Sequence, residues 1–242
     1  MKITIPIISL FFLFSCNCSQ ELTDTTDPGG RYAAAADDAI KMEPGEFYNG
    51  LRVLEEDSVL LVTWISGERL KGYKDSWSTG KPLEVKGFNV WATAVPDLKN
   101  FCDKEKFTDL DKAEARLKQL LGLRLSSDKQ YFVELKVKRD DVFRPAPDAN
   151  VMSVGKFMMD DFVAGPNSFK KWYLENLKAS YAKEPKIIWT RLGYTYDWGN
   201  PYSEIGLSEF VIPGTMDSAD FKVEVVNIYN TEQYCLLVKQ EN

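Results

Sequence analysis

The chain is expected to fold as α+β, a mainly antiparallel sheet with two or more amphipathic helices packed on it. Three observations lead there. Runs such as SVLLVTWI (58–65) and YFVELKV (131–137) have the β-branched or alternating character of strands. Apolar residues recur at helical spacing in two other stretches, and beyond residue 194 strand-like runs follow one another with only turn residues between them. Strands and helices segregated along a chain, rather than alternating, belong to the α+β class.

The first residues lie outside that fold. Met1-Lys2 precedes the apolar run ITIPIISLFFLF and then Ser15-Cys16. A short positive start, about a dozen apolar residues and a small residue before a cut describe an export segment, too short for a spanning helix. Leu13-Phe14-Ser15-Cys16 resembles the lipobox of bacterial lipoproteins. The resemblance implies that residues 1–15 are a signal peptide and that Cys16 is acylated. It also implies that the chain is held on a membrane, because several acyl chains at about 0.8 kcal/mol per buried methylene anchor stably. An ordinary secretory signal with a chance cysteine is the plainer alternative. Asn17, rather than an aspartate, follows the cysteine, which favours the outer membrane of a cell envelope.

Residues 16–44 are poor in large apolar side chains and read as a flexible tether, although Ala33–Ala36 equally suits a short helix. Residues 45–242 fit one globular domain at the usual allowance of about 100–200 residues. The net charge of -6, with no clustered Lys and Arg, argues against a nucleic-acid partner. Cys102 and Cys235 fall in the domain, and an oxidising compartment permits them to pair; two free buried thiols remain the other possibility.

In order along the domain, Ser58–Ile65 and Gly87–Ala94 read as strands, and Pro96 suits the first turn of a helix over PDLKNFCDK. Thr108 and Asp111 have capping-box spacing before a helix whose Leu110, Ala113, Leu117, Leu120 and Leu121 share one face, with Gly122 at its end. In 131–137 the alternation puts Tyr131, Val133, Leu135 and Val137 on a core face and Phe132, Glu134 and Lys136 on a mostly wet one. RDDVFRPAPDAN is a long connection. Asn167 or Ser168 then caps a helix striped by Phe169, Trp172, Tyr173 and Leu177. YTYDW, IGLSEFVI, FKVEVVNIY and QYCLLVK complete the sheet. The doublets Asp140-Asp141 and Asp160-Asp161 fit no calcium loop and read as solvated turns.

Tyr194, Tyr196 and Trp198 alternate along one strand, so an ideal strand points all three to the same side. Such a row is either packed core, the commoner case, or a wall for a sugar ring or flat base. In the second case Asp197, Glu204, Glu209 and Arg191 are near enough in sequence to meet the ligand's polar edge. TRLGYTYDWGN with GLSEFVIP, RLKQLLGL and DVFRPAPD resembles a group of uncharacterised bacterial proteins, which implies one shared fold and no catalytic residue.

The chain contains no histidine. That removes Ser-His-Asp and Cys-His nucleophiles and histidine-bearing zinc sites, and no Walker loop, GxGxxG or metal-spaced cysteine pair occurs. No metal or cofactor is therefore expected. Two carboxylates still suffice to cleave a glycosidic bond. The strand–helix layout is also similar to that of ADP-ribosyltransferase-like folds. That resemblance implies roles in NAD binding and turnover for Arg52, Trp91 and Glu209, but the Ser-Thr-Ser strand motif is replaced by WAT at 91–93, and Leu207 stands where a second Glu belongs. The leading expectation is a binding or assembly module at the envelope for a glycan or protein partner. The alternative is an enzyme acting on NAD or a glycosidic bond, with Glu209 as its catalytic candidate and Trp91 among the ligand-contacting residues.

Overall fold

The computed structural model describes residues 28–41, 48–72, 78–153, 162, 165–184, 186–216 and 221–236. Residues 1–15, read from sequence as an export segment, Cys16 and Asp160-Asp161 lie outside the described residues. The fold is α+β: an antiparallel sheet with helices packed on it. Its strands are β1 (Ser58–Ile65), β2 (Pro82–Val85), β3 (Asn89–Ala94), β4 (Tyr131–Lys138), β5 (Tyr194–Tyr196), β6 (Ile205–Pro213) and β7 (Phe221–Asn230), in the spatial order β2-β7-β4-β1-β3-β6-β5. The helices are α1 (Pro28–Ala39), α2 (Gly67–Gly72), α3 (Val95–Glu105), α4 (Leu110–Leu120), α5 (Asn167–Tyr181) and α6 (Thr231–Cys235).

Both faces of the sheet are covered. On one, Leu61, Ala92, Leu135, Phe210 and Val225 pack with Leu54, Val142 and Val151 from connecting segments. On the other, Val62, Trp64 and Phe132 meet Leu98, Leu117, Leu120 and Tyr234 from α3, α4 and α6. A disulfide between Cys102 and Cys235 ties α3 to α6, with Cα atoms 5.0 Å apart. Farther along the same face, Trp91 and Val211 pack beneath an aromatic cluster of Phe143, Phe169, Trp172 and Trp189.

This double cover corrects one sequence expectation. Phe132 and Glu134 were placed on a wet face of β4, but both are buried, and Glu134 accepts a hydrogen bond from Asn227 at 2.7 Å. The alternation of β4 records polarity, and it cannot show that helices from distant sequence lie over a central strand. The α4 cap also differs: Asp109, not Thr108, accepts from the Lys112 amide at 2.9 Å, and Leu110 in the first turn is left partly exposed. α5 begins at Asn167 after Pro166, so neither Asn167 nor Ser168 caps it, and Gln233–Cys235, expected in a strand, lies in α6, which Asn230 and Gln233 open with a capping box.

Within the stretch expected as a tether, α1 is an integral layer. Tyr32, Ala35, Ala36 and Ala39 are buried against Ile188 and Trp198. Alanine supplies little apolar area, so composition underrates it, but its small side chain lets a helix lie close to an aromatic surface. Arg191 fixes the helix end, its Nη2 donating to the carbonyls of Ala39 and Ile40 at 2.8 Å each. A guanidinium there satisfies orphan carbonyls and meets the negative end of the helix dipole.

Candidate functional site

Between the sheet and its helical layer, where α3 and α4 give way to α5, lies a cavity of about 350 Å³. Its floor is β1, β3 and β6, contributing Val62, Trp64, Trp91, Thr93 and Glu209; its roof is α5 with the Ile187–Trp189 segment; and the end of α4 closes one side. That volume lies at the small end of the range for ligand sites, roughly 300–1,000 Å³.

The walls are apolar because their polar atoms are engaged elsewhere. Trp189 Nε1 donates to the Pro145 carbonyl at 3.1 Å, and Trp64 Nε1 to Thr231 Oγ1 at 3.3 Å. Thr195 Oγ1 donates to the Leu120 carbonyl at 2.7 Å and accepts from the Leu207 amide at 2.9 Å. Trp91 stands edge-on to Trp189 at 6.0 Å and tilted to Trp172 at 6.0 Å, so its ring is fixed on two sides.

Glu209 is the exception. Its backbone is held in β6, the amide donating to Gly193 at 2.9 Å, and its side chain faces the cavity opposite Thr93 of β3. Among the described residues its carboxyl has no hydrogen-bond or ion-pair partner, and burial alone pushes its pKa up to about 8. The residue lies deep in the protein yet keeps some accessible surface, because the cavity itself reaches it. A carboxyl so placed stays largely protonated at neutral pH and offers a ligand both an O–H donor and a carbonyl acceptor. Thr93 Oγ1 is likewise buried without a partner. At the other end of the cavity sit Lys129, whose Nζ donates to the Trp64 carbonyl at 3.0 Å, and Arg69, whose guanidinium lies 4.9 Å over the Phe88 ring. Burial, then the neighbouring Arg69 charge, lowers the Lys129 pKa.

The structure brings Trp91 and Glu209 together in this cavity and places Tyr196, Asp197, Trp198 and Glu204 along a second depression beside α1. Tyr194 packs with Leu51 and Leu192. Tyr196 donates to Asp38 of α1 at 2.8 Å, and Trp198 lies under α1 with Nε1 on the Leu123 carbonyl at 3.0 Å. Tyr194 is set apart from the other two: the β5–β6 register shifts between Tyr194 and Tyr196, which breaks the alternation that an ideal strand requires. Asp197 is buried and clamped by both Arg116 Nη atoms at 2.7 Å, and Arg191 is occupied with α1. Arg52 is paired with Asp97 and lines a separate depression, away from Trp91 and Glu209.

Thr93, Trp189, Arg69 and Lys129 were not singled out from sequence; they come together only through strand pairing and the α5 cover. No cluster of His, Cys, Asp or Glu able to hold a metal occurs among the described residues, and no helix among them is long and apolar enough to cross a membrane. No protein-family model matches the chain, and the searches of curated proteins and of solved structures likewise found no match.

Proposed function

We propose that this chain is a lipid-anchored protein of the cell envelope, held at the outer membrane through Cys16, and that it is a binding module for a small, largely apolar molecule taken into the Glu209 cavity. The observation that carries the binding reading is the Glu209 carboxyl, without a partner inside an aromatic-lined cavity. The carboxyl faces only the cavity, and a ligand hydrogen bond there supplies the partner that the described protein residues do not. The Cys102–Cys235 disulfide supports an exported location, since such bonds persist in oxidising compartments.

A glycan reading draws its support from a second, wider depression beside α1, lined by Arg31, Asp38, Tyr196, Trp198 and Glu204, where Tyr202 is 88% exposed. The enzyme reading draws its support from Glu209, whose raised pKa suits a general acid. Glu209 is the sole carboxylate among the described lining residues of the cavity, however, so a two-carboxylate glycosidic mechanism lacks its second member there.

The test is a melting-temperature screen of residues 16–242 carrying Cys16→Ser, against apolar acids and alcohols, envelope oligosaccharides and NAD. A ligand at 100 times its Kd adds about 2.7 kcal/mol. A shift with apolar molecules alone is the expected result; a shift only with oligosaccharides transfers the function to the depression at Tyr202. A shift with NAD calls for a turnover assay. The anchor is tested separately: Cys16→Ser in the exported chain is expected to abolish lipid labelling and membrane retention, and unchanged retention contradicts it.

A further inference from the structure

The two ends of the cavity differ in charge, and that difference specifies a ligand class. Glu209 and Thr93 mark one end. Along β3 from Thr93 to Asn89 the strand advances about 13 Å, and there the lining changes to Asn89, Arg69 and Lys129. These two cations belong to one place in the fold: Lys129 immediately precedes Gln130, whose amide donates to the Ile65 carbonyl at 2.9 Å, and Arg69 lies in α2 just beyond β1. Neither forms an ion pair with an acid among the described residues, whereas Arg52, Arg116, Arg139, Lys118 and Lys186 all do. Two neighbouring cations at the end of an apolar slot, with Asp128 close enough to act on Lys129 but not paired with it, are an arrangement that an anion relieves.

We infer, on the reading that the cavity is a ligand site, that its ligand is a slender amphiphile with one carboxylate head between Arg69 and Lys129. Its apolar body lies against Trp64 and Trp91, and a polar atom at its far end meets Glu209. A carboxylate suits the donors at hand. Lys129 already gives one N–H to the Trp64 carbonyl, and what remains is the planar fork of Arg69 with the rest of one ammonium. An alkyl acid and a phenylalkyl acid share this chemistry, and the aromatic walls accept either body.

The experiment is calorimetric titration of residues 16–242 (Cys16→Ser) with two matched pairs that carry a hydroxyl at the far end, 10-hydroxydecanoate against 1,10-decanediol and 6-(4-hydroxyphenyl)hexanoate against 4-(6-hydroxyhexyl)phenol. The acid of at least one pair is expected to bind about ten-fold more tightly than its alcohol, as charge-assisted hydrogen bonds require. The pair with the tighter acid identifies the body. Arg69→Gln combined with Lys129→Gln is expected to bring the ratio close to one, chiefly by weakening the acid; each single variant, read alone, is expected to reduce it in part. Equal affinity of acid and alcohol in the unsubstituted chain overturns the anion assignment and leaves the cavity as a binding site. A preference that survives in the double variant overturns the placement of the head. Binding of none of the four probes overturns both the assignment and the binding reading beneath it.

Discussion

Glu209 of β6 and Thr93 of β3 stand directly opposite each other on the helix-covered face of the sheet, and neither side-chain oxygen has a protein partner among the described residues. In a sheet core such a pair is destabilising. Each member offers a measurable consequence.

For Glu209 the consequence is a pH dependence of stability. Burial moves the carboxyl from its ordinary 4.5 to about 8. Below the lower value, folded and unfolded chains both carry the proton. Between the two values the unfolded chain loses it and the folded chain keeps it, so stability falls as pH rises, and above the upper value the loss is complete. Urea unfolding of the unsubstituted chain from pH 5 to pH 8 is expected to show a loss on the order of 3 kcal/mol that Glu209→Gln removes. An identical pH slope in both proteins would mean that the carboxyl is solvated or paired.

Thr93→Val replaces an unpartnered buried hydroxyl with a methyl group of the same shape. It is expected to stabilise the fold by about 1 kcal/mol, read from the urea midpoint at unchanged slope. Destabilisation would show that the hydroxyl has a partner in solution.

Arg191 holds the end of α1 through two carbonyls and adopts a left-handed backbone, φ 63°, to reach them. Arg191→Ala is expected to cost about 2 kcal/mol and to raise amide hydrogen exchange in α1 well above that of β1 and β4. Uniform protection in the variant would show that Tyr32 and the alanines dock α1 unaided.

The Cys102–Cys235 bond closes a span of 133 residues between α3 and α6. Replacing both cysteines by alanine is expected to lower stability by about 3 kcal/mol, and reductant is expected to lower the melting temperature of the unsubstituted chain but not of the variant. Equal sensitivity to reductant in both would argue that the bond does not form.

Strand and helix positions were legible where one residue's neighbours decide its state: SVLLVTWI, the Leu117–Leu120 stripe and the Phe169–Trp172 stripe all stand where periodicity puts them. Trp91 and Glu209, named from a likeness of strand layout, line the same cavity, whereas Arg52 from that likeness lies elsewhere. Tyr196 and Trp198 share the depression beside α1 while Tyr194 packs elsewhere, because a register shift interrupts the alternation that an ideal strand keeps. Thr93, Arg69 and Lys129 gave no signal. Their nearness to Glu209 and Trp91 comes from the β1–β3–β6 pairing and from chain segments that adjoin only after the sheet closes.

The most direct test of the cavity as a ligand site is a 10-hydroxydecanoate titration of the unsubstituted chain beside Thr93→Leu. That substitution extends an apolar side chain into the cavity without removing a hydrogen bond present in the structure. The account predicts saturable one-to-one binding with a negative heat-capacity change in the first protein, and its loss in the second at an undiminished melting temperature. Equal binding by both proteins, or by neither, would contradict it.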